Sequence, residues 1–338
     1  MGDKKVFKVL AIDGGGIKGL FASTILERIE RDYNLSISDH FDMICGTSTG
    51  GLIALGLALK IPANELSRFY VEKGPEIFKS GWPWARRLAD SYKLIRQIGY
   101  RGKYSDKALR KALEGVFEEK RIADLNNLVC IPSYTITEGR PWVFKRDYGI
   151  KNRDNNTLLV DVALATSAAP TYFPVAQISS YDNSQFIDGG VWANNPSLVG
   201  YLEAVDGFVG KSIEKEYDEL MLLSIGNPSK QTGESTSKKR YRSFISWRDD
   251  LFETSMNGQN FFTNYFLERL AEHTNIPFVY HRLDASGMSA KHEELIGLDK
   301  ATKSALDLLR VKAKNLADLE LKKEETKQFF KEPKTYLV

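Results

Sequence analysis

The amino-acid sequence predicts an α/β fold in which a mostly parallel central sheet is flanked by helices. Residues 6–12 form a short apolar run, and a glycine-rich segment connects it to residues 20–33, where apolar side chains recur at helical spacing. The same order of strand, glycine turn and helix recurs over residues 41–60. Two such units in succession are typical of parallel strands whose two faces are both covered by helices.

The later elements follow in order along the chain. Helices are predicted over residues 161–168 and directly after Pro196, and further apolar runs predict strands at residues 128–134, 142–145, 185–187 and 220–225. A polar segment then precedes two long helical patterns, at residues 243–272 and 301–321. We therefore expect an α/β domain over residues 1–230 and a helical C-terminal part over residues 231–338 that packs on it.

Composition indicates an ordinary folded protein. Hydrophobic residues make up 42% of the 338 residues, which is enough for a large core. The 47 basic and 44 acidic residues leave a formal net charge of +3, and so balanced a charge argues against a DNA or RNA polymer as a partner. The chain has two cysteines, Cys45 and Cys130, which suits a reducing compartment. With no signal-peptide pattern and no apolar run of about 18 residues, we expect a cytoplasmic chain that does not span a membrane.

A glycine-rich motif, Asp-Gly-Gly-Gly-Ile-Lys-Gly at residues 13–19, lies between the first predicted strand and the first helix. Glycines there let backbone N–H groups approach an anion at the positive end of a helix. The spacing of Gly14, Gly16 and Gly19 also fits the dinucleotide fingerprint, which requires an acidic residue at the end of the second strand. That strand ends instead at Cys45, so a dinucleotide-binding oxidoreductase is the weaker alternative.

A second motif, Gly-Thr-Ser-Thr-Gly at residues 46–50, fits the G-x-S-x-G elbow, in which a sharp strand-to-helix turn projects the serine hydroxyl. Ser48 is therefore a candidate nucleophile. Because short glycine patterns also arise by chance, the alternative is a glycine-rich turn in which Ser48 caps the following helix. The apolar segments on both sides of the motif favour the elbow.

A nucleophilic serine needs a base, because a free hydroxyl attacks esters poorly at neutral pH. The best candidate is Asp188, which follows a predicted strand and precedes two glycines. An Asp-Gly hairpin turn is the alternative interpretation of this segment. A Ser-His-Asp triad is not predicted, because none of the four histidines lies in a glycine-marked turn after a strand. These histidines are His40, His273, His281 and His292.

Taken together, residues 13–19, 46–50 and 188–190 resemble, in matching order, the three signatures of the patatin-like phospholipases. The resemblance covers about residues 6–226. It implies the patatin-like fold and an enzyme that cleaves phospholipid esters by two-step acyl transfer. No metal and no cofactor are needed for that chemistry.

The family's site residues carry over to positions that match its motifs. The resemblance implies that Ser48 is the nucleophile and Asp188 the base, which together form a serine-aspartate dyad. The backbone N–H groups of Gly15 and Gly16, together with Gly14, would form the oxyanion hole. An inactive scaffold that keeps the elbow without turnover stays open as a further alternative.

Within that family, the length of the chain and its helical tail resemble bacterial anti-phage effectors that cyclic oligonucleotides activate. This resemblance implies a cyclic di- or trinucleotide activator and peripheral action on the phospholipid surface of the inner membrane; a homo-oligomer stays open. Two basic segments are candidate contacts for an activator or a membrane. One, at residues 79–103, contains Arg86 and Arg87 beside tryptophans, and the other contains Arg240 and Arg242. Our hypothesis is that nucleotide binding orders the second segment and opens the active site.

Overall fold

The described residues form one sheet of eight strands with helices on both faces. The computed structural model describes residues 4–79, 103–150, 152–210, 215–228, 241, 244–285 and 290–338. The strands are β1 (Val6–Ile12), β2 (Met43–Gly46), β3 (Leu128–Thr135), β4 (Arg140–Lys145), β5 (Ala176–Ile178), β6 (Ser184–Asp188), β7 (Glu219–Ile225) and β8 (Phe278–Leu283).

The helices connect these strands and continue beyond the last of them. They are α1 (Gly19–Tyr33), α2 (Thr49–Ala58), α3 (Ala63–Ile77), α4 (Lys107–Phe117), α5 (Leu159–Ser167), α6 (Ser197–Gly207), α7 (Phe244–His273), α8 (Ala290–Leu295), α9 (Lys303–Glu320) and α10 (Glu324–Lys327). Among the helices described, none is long and apolar enough to cross a bilayer.

The sheet has a parallel centre and an antiparallel extension. The strand order is β5-β6-β3-β2-β1-β7-β8, and the pairs from β3 to β8 along this path are parallel. The antiparallel pairs are β3 with β4, β3 with β6 and β5 with β6. The sheet is therefore mixed, with more antiparallel pairing than the sequence analysis expected.

One edge of β3 is shared by two strands, and this brings distant parts of the chain together. β2 pairs with the beginning of β3, up to Cys45 opposite Cys130. β6 pairs with the end of the same edge in the opposite direction, with Asp188 opposite Ser133. The carboxyl ends of β2 and β6 therefore face each other across a gap of about 10 Å, the rise of three residues.

Side chains alternate between two buried faces of the central strands. Leu10 and Ile12 of β1 belong to the core under α1 to α5 and α9, whereas Phe7 and Val9 belong to the core under α6 and α7. Such continuous burial explains the apolar run of β1, since a strand covered on both faces has no solvent-facing positions.

We expected the segment after residue 230 to be helical, but it also contains a strand. It contributes β8, which pairs with β7 in parallel and extends the sheet. The strand was missed because it lies at the sheet edge and only its two ends, Phe278 and Leu283, are buried. An edge strand with a partly exposed middle lacks the continuous apolar pattern that identifies a central strand.

The C-terminal segment packs across the start of β1 and β2. The Lys8 ammonium group donates a hydrogen bond to the Phe329 carbonyl (3.3 Å), and the Asp42 carboxylate accepts hydrogen bonds from the amides of residues 335–336. The Phe329 ring is completely buried and stacks near Phe41 and His281. The tail is therefore part of the folded core.

We expect Phe329→Ala to lower the free energy of unfolding by about 3 to 5 kcal/mol, because it removes a fully buried ring and leaves a cavity. Urea denaturation monitored by circular dichroism measures the change. Leu337→Ala is the matched control, since Leu337 is 85% exposed in the same tail. Equal stabilities of the two variants would show that the tail does not belong to the core.

Candidate active site

Ser48 lies at a strained turn between β2 and α2. Its backbone has φ 53° and ψ −124°, a combination that costs a non-glycine residue about 1 to 3 kcal/mol. Gly50 permits the turn, because a β-carbon at that position would lie only 2.6 Å from the Asp13 carbonyl oxygen. This geometry is that of the nucleophile elbow.

Three hydrogen bonds hold the elbow in place. The Ser48 amide donates to the Thr166 hydroxyl oxygen (2.9 Å), and that hydroxyl donates to the Pro132 carbonyl of β3 (2.6 Å). The Thr47 hydroxyl donates to the Ala193 carbonyl (2.6 Å) in the loop after β6. The elbow is thus tied to β3 and to the loop that carries the candidate base.

Asp188 ends β6 and contacts Ser48. Its carboxylate accepts a hydrogen bond from the Gly190 amide (2.7 Å), and the Ser48 hydroxyl lies near enough to that carboxylate to lower its pKa. Burial raises the pKa of Asp188 to about 7, and the Gly190 amide and the Ser48 hydroxyl oppose that rise because they stabilise the ionised form. A carboxyl group with a pKa near neutrality is suited to accept and return a proton.

The glycine-rich loop after β1 lies beside Ser48. Gly16 has φ 60°, a conformation that favours glycine, and Gly15 and Gly16 line the same cavity as Ser48. Their amides donate to no backbone acceptor among the described residues. The Gly14 amide, in contrast, donates to the Asn194 carbonyl (3.0 Å). Gly14, which the sequence analysis included in the oxyanion hole, is therefore already bonded within the protein.

A buried ion pair connects the glycine-rich loop to β8. Arg282 of β8 binds both carboxylate oxygens of Asp13 at 2.6 and 3.2 Å, and Asp13 is completely buried. Burial raises the pKa of Asp13 to about 6, while Arg282 opposes the rise. The Asn227 side-chain amide donates to the Asp13 carbonyl (2.9 Å) and to that of Gly14 (3.2 Å). The sequence alone indicates no role for Arg282 or Asn227; the position of Asn227 just after β7 is the one signal that it offers.

Helix α7 covers the loops on both sides of the dyad. The Gln259 side chain donates to the Val191 carbonyl (2.9 Å) and accepts from the Asn194 amide (3.2 Å) in the loop after β6. Glu253 lies 3.8 Å from the Lys18 ammonium group in the glycine-rich loop, and both side chains are largely buried. A displacement of α7 would therefore act on the loop after β6 and on the glycine-rich loop together.

The dyad opens into an apolar cavity, which we call the dyad cavity. It encloses about 690 Å³, part of which is open to solvent. Its polar lining includes Ser48 and Asp188, and no histidine lines it among the described residues. The apolar walls come from α2, α3, α4, α7 and the loop before β5, with Leu52, Phe69, Ile77, Leu109, Phe173, Phe252 and Met256. Such a cavity suits an alkyl chain whose polar end lies at the dyad.

The remaining predicted contacts are four arginines of the two basic segments. Arg86, Arg87, Arg240 and Arg242 fall outside the described residues. Within the described part of the chain, no three His, Cys, Asp or Glu side chains group in a way that could hold a metal ion.

Comparisons with known proteins give a family and relatives that cover most of the chain. A family model described as patatin-like phospholipase matches residues 10–199, which contain the glycine-rich loop, the elbow and Asp188. A cGAMP-activated phospholipase of Pseudomonas aeruginosa is 32% identical over 314 residues, 92% of this chain and 88% of that protein. Proteins of the same name from Vibrio cholerae and Escherichia coli are 33% and 32% identical, and each alignment covers 98% of this chain. These matches favour the hydrolase over the dinucleotide-binding alternative.

We expect kcat/KM for ester hydrolysis to rise with pH around a midpoint of about 7, because only the ionised Asp188 accepts the Ser48 proton. Initial rates on a soluble ester between pH 5 and 9 measure the profile. A flat profile across this range would contradict the role of Asp188 as the base.

The raised pKa of Asp188 also predicts how the free energy of unfolding depends on pH. Unfolded Asp188 loses its proton at a pH of about 4, whereas the folded group keeps it up to about 7. Between these pH values the folded state binds more protons, so this group lowers the free energy of unfolding as pH rises. Asp188→Asn should make that decline smaller, as urea denaturation at pH 5 and pH 8 would show, and the part that remains belongs to Asp13, whose pKa burial also raises.

Proposed function

The chain belongs to the patatin-like phospholipase family, and on that premise we propose that Ser48 and Asp188 form a dyad that cleaves membrane phospholipid esters. The observation that carries this proposal is the position of the strained Ser48 beside the buried Asp188 carboxylate, both at the end of one apolar cavity.

The first half of the reaction transfers the acyl group to the enzyme. Asp188 takes the hydroxyl proton as the Ser48 oxygen attacks the ester carbonyl carbon. The negative charge that develops on the carbonyl oxygen is bound by the amides of Gly15 and Gly16, whose directions are fixed before the substrate arrives. When the intermediate collapses, the ester C–O bond breaks and Asp188 returns its proton to the leaving alcohol.

The second half releases the fatty acid. A water molecule gives a proton to Asp188 while its oxygen attacks the acyl carbonyl carbon. The same two amides bind the second oxyanion, and the Ser48 oxygen leaves and takes the proton back from Asp188. One water is consumed, and the dyad ends in its starting protonation state.

A cyclic nucleotide is the activator that we propose. Three relatives of nearly the same length are named cGAMP-activated phospholipases. Arg240 and Arg242 directly precede α7, and α7 contacts both loops of the dyad through Glu253 and Gln259. A ligand bound at these arginines would act on the dyad through the position of α7. We further propose that the protein acts peripherally, on the cytoplasmic surface of the inner membrane.

We expect Ser48→Ala and Asp188→Asn each to lower fatty-acid release from phospholipid vesicles by about 10⁴-fold, because each removes one half of the proton transfer. Release is measured by mass spectrometry of the liberated acids. Ser180→Ala and Asp182→Asn are matched controls, since both residues are exposed on the turn before β6. No release by the folded wild type under any condition would instead indicate an inactive scaffold.

We expect cGAMP to raise the release by the wild type about tenfold or more, and the double variant Arg240→Ala with Arg242→Ala to lose this response. Fatty-acid release with a series of cyclic di- and trinucleotides measures it. Lys238→Ala with Lys239→Ala is the control, because it removes the same charge from the same segment. An unchanged response of the arginine variant would exclude these residues as the activator contact.

A further inference from the structure

A second cavity lies against the dyad cavity and differs from it in chemistry. We call it the side cavity; it encloses about 730 Å³, part of it open to solvent. The two cavities share Leu109, Ser167 and Phe173 as lining residues. The side cavity is lined by Asp106, Leu109, Arg110, Leu164, Ser167, Ala168, Phe173, Pro174, Val175, Ala176 and Gln177.

Ser167 marks the boundary between the two cavities. It ends α5, is largely buried, and lines both spaces. Its hydroxyl has no hydrogen-bond partner among the described residues. A buried hydroxyl without a partner costs free energy, so this position is suited to a polar group of a bound ligand that crosses from one cavity to the other.

Two charged residues of the same helix line the side cavity, one acidic and one basic. Asp106 and Arg110 lie at the start of α4, one turn apart. Arg110 is 3.6 Å from Asp161, and its side chain is 41% exposed, so this loose pairing leaves donors of the guanidinium for a ligand. No hydrogen bond or ion pair is found for the Asp106 carboxylate among the described residues.

A zwitterionic phospholipid matches this arrangement from end to end. Its acyl chain fits the apolar dyad cavity with the ester at Ser48, and its glycerol would pass Ser167. Its phosphate carries the negative charge that an arginine fork binds, and its ammonium group carries the positive charge that a carboxylate binds. A neutral lipid carries no charged group that would bind Arg110 or Asp106.

We propose that the side cavity is the headgroup subsite, in which Arg110 binds the phosphate and Asp106 the ammonium group of an amine-bearing glycerophospholipid. This inference rests on the proposed phospholipase function and adds the class of substrate. The two residues are specificity-determining, because they contact the headgroup and not the reacting ester.

The test compares three lipids with identical acyl chains: phosphatidylethanolamine, phosphatidylglycerol and diacylglycerol. Each is diluted in micelles of a non-ionic detergent, so that the surface charge stays low, and cGAMP is present throughout. We expect Arg110→Gln to lower the ratio of kcat/KM for phosphatidylethanolamine to that for diacylglycerol about tenfold, chiefly through KM. Asp106→Asn should lower the ratio for phosphatidylethanolamine over phosphatidylglycerol.

Lys111→Gln is the matched control, because it removes the same charge from an exposed position of the same helix. Ratios for Arg110→Gln that equal those of this control would overturn the headgroup subsite while the phospholipase function stands. A wild type that hydrolyses none of the three lipids would overturn both. Arg110→Lys should recover part of the lost ratio, because an ammonium group still binds phosphate but lacks the bidentate fork.

Discussion

The shared edge of β3 is the constraint on which the active site depends. β2 and β6 approach it from opposite directions and stop before they meet, so the last residue of β6 faces the turn that follows β2. In this gap the Pro132 carbonyl accepts a hydrogen bond from the Thr166 hydroxyl, and the oxygen of that hydroxyl accepts one from the Ser48 amide. Ser48 and Asp188, far apart in sequence, therefore meet through backbone pairing, and their contact does not require a flexible loop to find its position.

Burial sets the chemistry of the site. The same exclusion of water that makes the dyad cavity fit an acyl chain raises the pKa of Asp188 to about 7, where a carboxylate becomes an effective base. It also strengthens the pair between Asp13 and Arg282, which anchors the glycine-rich loop to β8. A buried charge left alone would be costly, so the loop and the edge strand stabilise each other.

Helix α7 and the start of α4 extend the site beyond the dyad. α7 contacts both dyad loops and directly follows the segment that contains Arg240 and Arg242, and in our proposal it transmits the effect of an activator to the dyad. α4 contributes Leu109 to the lining of both cavities and Arg110 to that of the side cavity. The sequence predicts α7 as a long helix but not its place beside the dyad, because its contacts are hydrogen bonds and an ion pair with residues that are distant in sequence.

The sequence by itself determined the α/β class, the central strands, the elbow at Ser48 and the candidate base Asp188. These are local signals: apolar runs for doubly covered strands, and glycines where the backbone must turn sharply or approach closely. Only the tertiary structure decided that Gly14 is already bonded to Asn194, that Arg282 supports Asp13, and that β8 completes the sheet. Each of these depends on which segments become neighbours across the sheet, and spacing along the chain does not encode that.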